Sequence, residues 1–259
     1  MTHVDRDIRY EVRDGIGYVT FDRPRSRNAM TFAMYERLYE LALAAGDEPG
    51  VRALVLTGSG KAFVAGTDIA EFKGFTEQQA LEYEAKMDRI LGALEAVRVP
   101  TVAAIGGATT GGGLAIASAC DLRVASADAT FGMPIARTLG NCLSLANLAR
   151  IASLIGIART KELIFTARLL QSDEALRIGL VHEVVPADRL AARAEELART
   201  AAGFAPLTLW ATKEGLRRIR ERLLPDEGRD LIQLCYTSAD FREGVDAFIE
   251  KRKPGWRGA

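Results

Sequence analysis

Cysteine and histidine are the scarcest chemically active residues of this chain, with 3 of the first and 2 of the second among 259 residues. Cys120, Cys142 and Cys235 are odd in number and widely spaced. They match no metal-ligand or disulfide pattern, so no metal is expected and a reducing compartment is. Net charge is lacking as well: Lys+Arg and Asp+Glu both count 34, for a formal net charge of +0. Such a balance has none of the basic footprint of a nucleic-acid binder and removes one barrier to self-association. No long apolar run is present. The nearest, Val99 to Ala119, is interrupted by seven Gly and Thr between Gly106 and Gly113, so a strand, a turn and a helix fit it better than a membrane span. Met1 to Asp7 is polar, without the apolar segment of a signal peptide, and the expected location is cytoplasmic.

What is present is an ordinary globular composition, 48% hydrophobic and 26% charged, in a chain long enough for one large domain or two small ones. Alternation at Ile8 to Val12 and Ile16 to Phe21 around Asp14-Gly15 predicts an opening hairpin. A helix follows over about 32–45, then an apolar strand at Ala53 to Thr57. The 77–97 segment reads as a helix with Met87, Ile90, Leu91, Leu94 and Val97 on one apolar face. Strands at 101–105 and 121–125 flank a Gly-rich turn and a helix over 113–120. This alternation predicts parallel α/β units. Beyond about residue 143 the pattern is helical, near 144–155, 157–165, 172–178, 187–202, 206–222, 227–239 and 241–251, with one short strand at 181–185.

Two segments offer chemistry. Gly106 to Gly113 places adjacent glycines before a helix, which exposes backbone N–H groups at the helix's positive end. It matches neither the phosphate loop nor the dinucleotide fingerprint. Lys61 to Ile69 follows a buried strand, and its Ala65-Gly66-Thr67 stretch again offers backbone donors. A plain turn explains each of them taken alone.

Taken in order, Arg23-Pro24 with Asn28-Ala29, Phe63-x-Ala65-Gly66-x-Asp68, Gly111 to Gly113, Asp121, Phe131-x-x-Pro134, Ala175-x-x-x-Gly179-Leu180-Val181 and the Asp240 to Arg252 segment resemble the enoyl-CoA hydratase/isomerase, or crotonase, superfamily. The resemblance runs over about 8–257. It implies a crotonase (ClpP-like) α/β fold of repeated ββα units in residues 1–200, with a C-terminal helical trimerisation module in 201–259. It also implies an acyl-CoA thioester as substrate, coenzyme A entering only as part of that substrate, and a homotrimer or dimer of trimers. Carried over by motif position, the N–H groups of Thr67 and Gly112 would form an oxyanion hole. Arg25 and Arg27 would approach the CoA phosphates, Ala65, Asp68 and Ile69 the adenine, and Phe248 and Lys251 a neighbouring subunit's ligand.

The chain departs from the family where proton transfer is expected. The two glutamate positions of a hydratase are Ala115 and Ile135 here, and Leu139-Gly140 comes one residue late, as an insertion would leave it. Each general acid–base group contributes roughly 10²–10⁴-fold, so efficient standard hydration is not expected. On the altered loop Arg137 could grip a substrate carboxylate, and Asn141 or Thr138 could orient water or a polar acyl group. Cys142 reads as a small buried residue. Tyr83, Glu82 and Glu84 lie on the helix covering the acyl pocket in relatives, both glutamates being expected on its solvated face, and Tyr236 reads as a core aromatic. Isomerisation, decarboxylation of a malonyl-type thioester and thioester hydrolysis are the reactions to weigh. An ordinary hydratase with replaced acid and base and a non-catalytic acyl-CoA-binding subunit are the alternatives.

Overall fold

The computed structural model describes residues 7–224 and 228–258, so the reading of the N-terminal Met1 to Arg6 and of Pro225 lies outside the described residues. The opening hairpin forms as expected, β1 (Ile8–Arg13) antiparallel to β2 (Ile16–Phe21), with Asp14 and Gly15 both at positive φ in the turn. The sheet then grows by parallel pairing through β3 (Ala53–Gly58), β5 (Thr101–Ile105), β7 (Leu122–Ser126) and β10 (Glu183–Val185), in the order β1-β2-β3-β5-β7-β10.

A second sheet is the main feature that sequence periodicity did not reveal. It is built from β4 (Ala62–Val64), β6 (Ala108–Thr110), β8 (Thr130–Gly132) and β9 (Leu170–Gln171), in that order. β4, β6 and β8 pair in parallel and β9 closes the sheet antiparallel to β8. Each is two or three residues long, too short for alternation to register. The stretch read as one Gly-rich turn therefore contains β6. A strand of the large sheet, a strand of the small one and a helix then recur: β3, β4 and the helix Glu77–Ala96; β5, β6 and the helix Gly112–Ala119; β7, β8 and the helical turn Ile135–Thr138. This is the expected ββα repeat.

The helices are α1 (Phe32–Asp47), α2 (Glu77–Ala96), α3 (Gly112–Ala119), α4 (Ile135–Thr138), α5 (Leu145–Thr166), α6 (Ser172–Arg177), α7 (Leu190–Ala202), α8 (Pro206–Arg222), α9 (Arg229–Tyr236) and α10 (Ala239–Ile249). Thr31 caps α1 by accepting from Met34 N, and Thr76 with Gln79 forms a capping box on α2. The two helices expected near 144–155 and 157–165 both form, as two segments of α5 that meet at Gly156, whose φ of 78° and ψ of 159° are non-helical. The large sheet is covered on one face by α7, where Leu190, Ala194 and Ala198 meet Ile16, Val55, Val102 and Val124. Its other face joins the main core, with Phe21, Phe63, Ile90, Leu94 and Ile105.

Two polar devices fix α3, the short helix that follows the Gly-rich turn. Asp121, just past its end, accepts from Thr101 N and Oγ1 at 2.8 and 3.0 Å and from Lys213 Nζ at 2.7 Å. Arg123 is only 3% exposed, and its guanidinium donates to the carbonyls of Ala117, Cys120 and Leu180. A buried cation is thus satisfied by the negative end of α3. Replacing Arg123→Ala leaves those carbonyls unpaired, and we expect denaturant unfolding to report a loss of about 3 kcal/mol.

Candidate active site

A cavity of about 640 Å³ opens between α1, α2, the start of α3 and the 133–143 segment. Its wall is made where two backbones meet closely. A Cβ at Gly113 would stand 1.9 Å from the carbonyl oxygen of Val64, so only glycine lets α3 start against β4. Beyond β4, Thr67 makes a parallel bridge to Met30 through its neighbours: Met30 N donates to Gly66 O and Asp68 N to Met30 O. In such a bridge the middle residue's own N–H points away from the partner strand. Gly112 is the first residue of α3, so its N–H has no acceptor within the helix. The two residues adjoin, because a Cβ at Gly112 would lie 3.2 Å from Thr67 Oγ1.

Hydroxyls seal this corner. Thr67 Oγ1 is 3.0 Å from Tyr35 Oη and 3.2 Å from Tyr83 Oη. Tyr35 Oη lies 2.0 Å from where a Gly112 Cβ would be, so the tyrosine occupies the space that the glycine leaves. Burial pushes the Tyr35 phenol up to about 12 and Tyr83 well above its ordinary value, so both remain neutral hydroxyls. Sequence patterning gave no signal for Tyr35.

The mouth carries the charge. Arg25 and Arg27 are exposed and line it, together with Ala65, Asp68, Ile69 and Phe248. Their loop is pinned by the buried Asn28, which accepts from Arg23 N and donates to Ser59 O and Ala62 O. Arg23 in turn bonds Ala29 O at 2.6 Å and Asp68 Oδ2 at 3.3 Å. The Arg23, Asn28 and Asp68 motif residues thus set the shape of the mouth.

Deeper in, Ala115 and Ile135 line the cavity with Met87, Leu91, Leu139 and Leu143. Among these apolar side chains stands a carboxylate. Glu84, expected on a solvated helix face, is 3% exposed and lines the cavity. Oε1 accepts from Tyr236 Oη at 2.5 Å and Oε2 from Ser144 N at 3.2 Å. Burial pushes its pKa up to about 7, with the nearby Asp88 adding to the rise and the Tyr236 and Ser144 donors opposing it. Tyr236 is a core aromatic as expected, yet its hydroxyl reaches this carboxylate and also accepts from Asn141 Nδ2 at 3.2 Å.

The altered loop is only partly in the site. Asn141 and Thr138 line the cavity, but the Thr138 hydroxyl donates to Pro134 O at 2.9 Å. Arg137, expected to grip a substrate carboxylate, instead lies exposed on α4 outside the cavity lining, because the helical turn 135–138 directs Ile135 and Thr138 inward. Lys251 is also exposed and outside the lining, one residue past the C-cap of α10, and Phe248 lines the cavity. Cys142 is half-buried, its thiol donating to Leu231 O at 3.4 Å, in keeping with a packing role.

Two stacked sheets of ββα repeats, with a cavity at the start of α3, define the crotonase fold, and comparison with known proteins agrees. The family model for enoyl-CoA hydratase/isomerase matches residues 11–259, and the chain belongs to that family. It is 33% identical over 252 residues to a crotonyl-CoA hydratase of Syntrophomonas wolfei, covering 95% of this chain and 96% of that one. It is 36% identical over 255 residues to a probable enoyl-CoA hydratase of Mycobacterium bovis, covering 97% and 95%. Among solved structures, a methylmalonyl-CoA decarboxylase complexed with 2S-carboxypropyl-CoA superposes with a TM-score of 0.89 at 26% identity, covering 100% of both chains.

The raised pKa of Glu84 has a consequence for stability. Its folded value, about 7, lies above the ordinary 4.5, so the native state binds this proton more tightly. The contribution is present below pH 4.5 and is lost as pH rises through 7. Glu84→Gln should remove that loss, leaving the variant more stable than the parent at pH 8, by up to about 3 kcal/mol in urea unfolding, with the gap closing at pH 5.

Proposed function

We propose that the chain acts on an acyl-CoA thioester, holding the carbonyl oxygen at the N–H groups of Thr67 and Gly112 and stabilising an enolate there, by chemistry other than efficient standard hydration. The observation that carries this reading is the cavity lining itself: backbone donors adjoin at its corner, while Ala115 and Ile135 stand where the family's two glutamates are expected. Donors aimed at developing charge contribute roughly 3–4 kcal/mol each. The exposed guanidinia of Arg25 and Arg27 suit the phosphates of coenzyme A, with Ala65, Asp68 and Ile69 beside its adenine. Coenzyme A enters with the substrate, and the reaction needs no separate cofactor.

Isomerisation of an enoyl thioester suits a pocket that moves one proton without activating water. Decarboxylation of a malonyl-type thioester is the second reading, favoured by the likeness to methylmalonyl-CoA decarboxylase, since loss of CO2 itself generates the enolate. An anchor for that carboxylate has to come from groups other than Arg137. Residues 201–259 serve in this reading as a helical module for a homotrimer or dimer of trimers. Leu207, Leu216, Ile219, Leu223 and Leu234 are large apolar side chains left exposed there.

Gly112→Pro removes one donor and tests the hole directly. Because Tyr35 Oη crowds the added ring, the substitution belongs in a Tyr35→Phe background, with Tyr35→Phe alone as control. Across a panel of acyl-CoA thioesters followed by mass spectrometry, the double variant should lose about 10²–10³-fold in kcat relative to the control. Crotonyl-CoA hydration at rates typical of the family would contradict the reading, and CoA-thioester binding with no turnover across the panel would favour a binding subunit.

A further inference from the structure

Among the described residues, the cavity away from its mouth holds one carboxylate, and it comes from neither of the positions where the family resemblance places one. We propose that Glu84 is a catalytic residue of this pocket, its carboxylate carrying a proton to and from the carbon beside the thioester carbonyl of the bound acyl chain. The proposal rests on the acyl-CoA reading above and adds the group that does the chemistry.

Helix α2 makes the juxtaposition. Tyr83 reaches Thr67 Oγ1 at 3.2 Å, which places this turn of the helix against the donor corner. Glu84 is the next residue, about 100° further round, and Met87 and Leu91 continue its stripe along the same cavity wall. The carboxylate is oriented from the far side. Asn141 Nδ2 donates to Tyr236 Oη, so the single Tyr236 proton is committed to Glu84 Oε1. Ser144 N holds Oε2. These donors are a phenol and an amide, neither of them a cation, and each carboxylate oxygen keeps a further lone pair for the acyl chain. Tyr236 is therefore a positioning residue.

In the forward step Glu84 takes a proton from Cα. The C–H electron pair moves into the C–C bond and the carbonyl pair moves onto oxygen, giving an enolate held by the Thr67 and Gly112 N–H groups. The protonated Glu84 then returns the proton to Cα. Where the acyl chain carries a 3,4 double bond, the intermediate is a dienolate, and return at Cγ shifts the bond into conjugation. Nothing is oxidised or reduced, and no co-reactant is consumed.

The groups that face Glu84 set its pH response. Asp88 lies one turn along its own helix and Tyr83 beside it, Tyr35 faces from α1, Cys142 from the altered loop and Tyr236 from α9, while Arg150 of α5 is engaged by Glu95 and Asp88. The ionised form is the active base, so exchange should rise with pH through about 7. Removing the Tyr236 donor takes away a bond that favours the anion and moves that midpoint upward.

The test is deuterium uptake at Cα of butyryl-CoA in D2O, read by mass spectrometry on the full chain, with binding measured by calorimetry on the same samples. The parent should exchange. Glu84→Gln should bind butyryl-CoA within a few-fold of the parent while exchanging at least about 10²-fold more slowly. Tyr236→Phe should keep exchanging, with its pH midpoint displaced upward. Exchange by Glu84→Gln at the parent's rate, or a parent that binds without exchanging, overturns the proposal while leaving the acyl-CoA reading intact. Failure of the parent to bind butyryl-CoA overturns both.

Discussion

The structure depends on two backbones passing within touching distance, β4 with its continuation to Thr67 and β6 with its continuation into α3. Gly113 permits the approach, since any side chain there would overlap the Val64 carbonyl. The approach fixes where α3 begins, and the start of α3 decides where unpaired N–H groups face the cavity. Much of the surrounding polar chemistry serves to hold that helix. Asp121 ties its far end to β5 and α8, and Arg123 binds its terminal carbonyls. The C-terminal helices add the outer wall, Phe241 packing on Phe72 and Tyr236 reaching Glu84.

A second constraint acts against the first. An apolar cavity disfavours charge, yet Glu84 is placed in it and held by a phenol and an amide. The arrangement costs stability at neutral pH, because burial pushes the carboxyl pKa up to about 7. A carboxylate whose pKa is raised is a stronger base than an ordinary one, which lessens the uphill cost of taking a proton from carbon. Ala115 and Ile135 contribute no second proton-transferring group to the same space.

Much of the fold was legible because hydrophobic periodicity and turn residues agreed over long elements. The opening hairpin, β3, β5, α2 and α8 lie close to where the sequence put them. The second sheet was not legible, since strands of two or three residues carry no period, and β6 is buried inside a run of glycines. At the site, the motif positions Ala65, Thr67, Asp68, Ile69 and Gly112 converge on one cavity, because backbone path places them there. Arg137 does not join them, since a single helical turn reverses where its side chain goes. Glu84 was legible in principle. It stands three residues before Met87 and seven before Leu91, on the apolar stripe, and a charge there conflicts with the pattern. The Tyr236 and Asn141 partners come from segments distant in sequence, which no local pattern links to it.

The claim on which the rest turns is that the thioester carbonyl is polarised by the backbone at Thr67 and Gly112. Difference infrared spectroscopy of bound butyryl-CoA, carrying 13C at the carbonyl, reports on that bond alone. The account predicts a carbonyl band moved to lower wavenumber on binding, and moved back toward its solution position in the Gly112→Pro/Tyr35→Phe double variant. A bound carbonyl that absorbs at its solution position in the parent protein would contradict it.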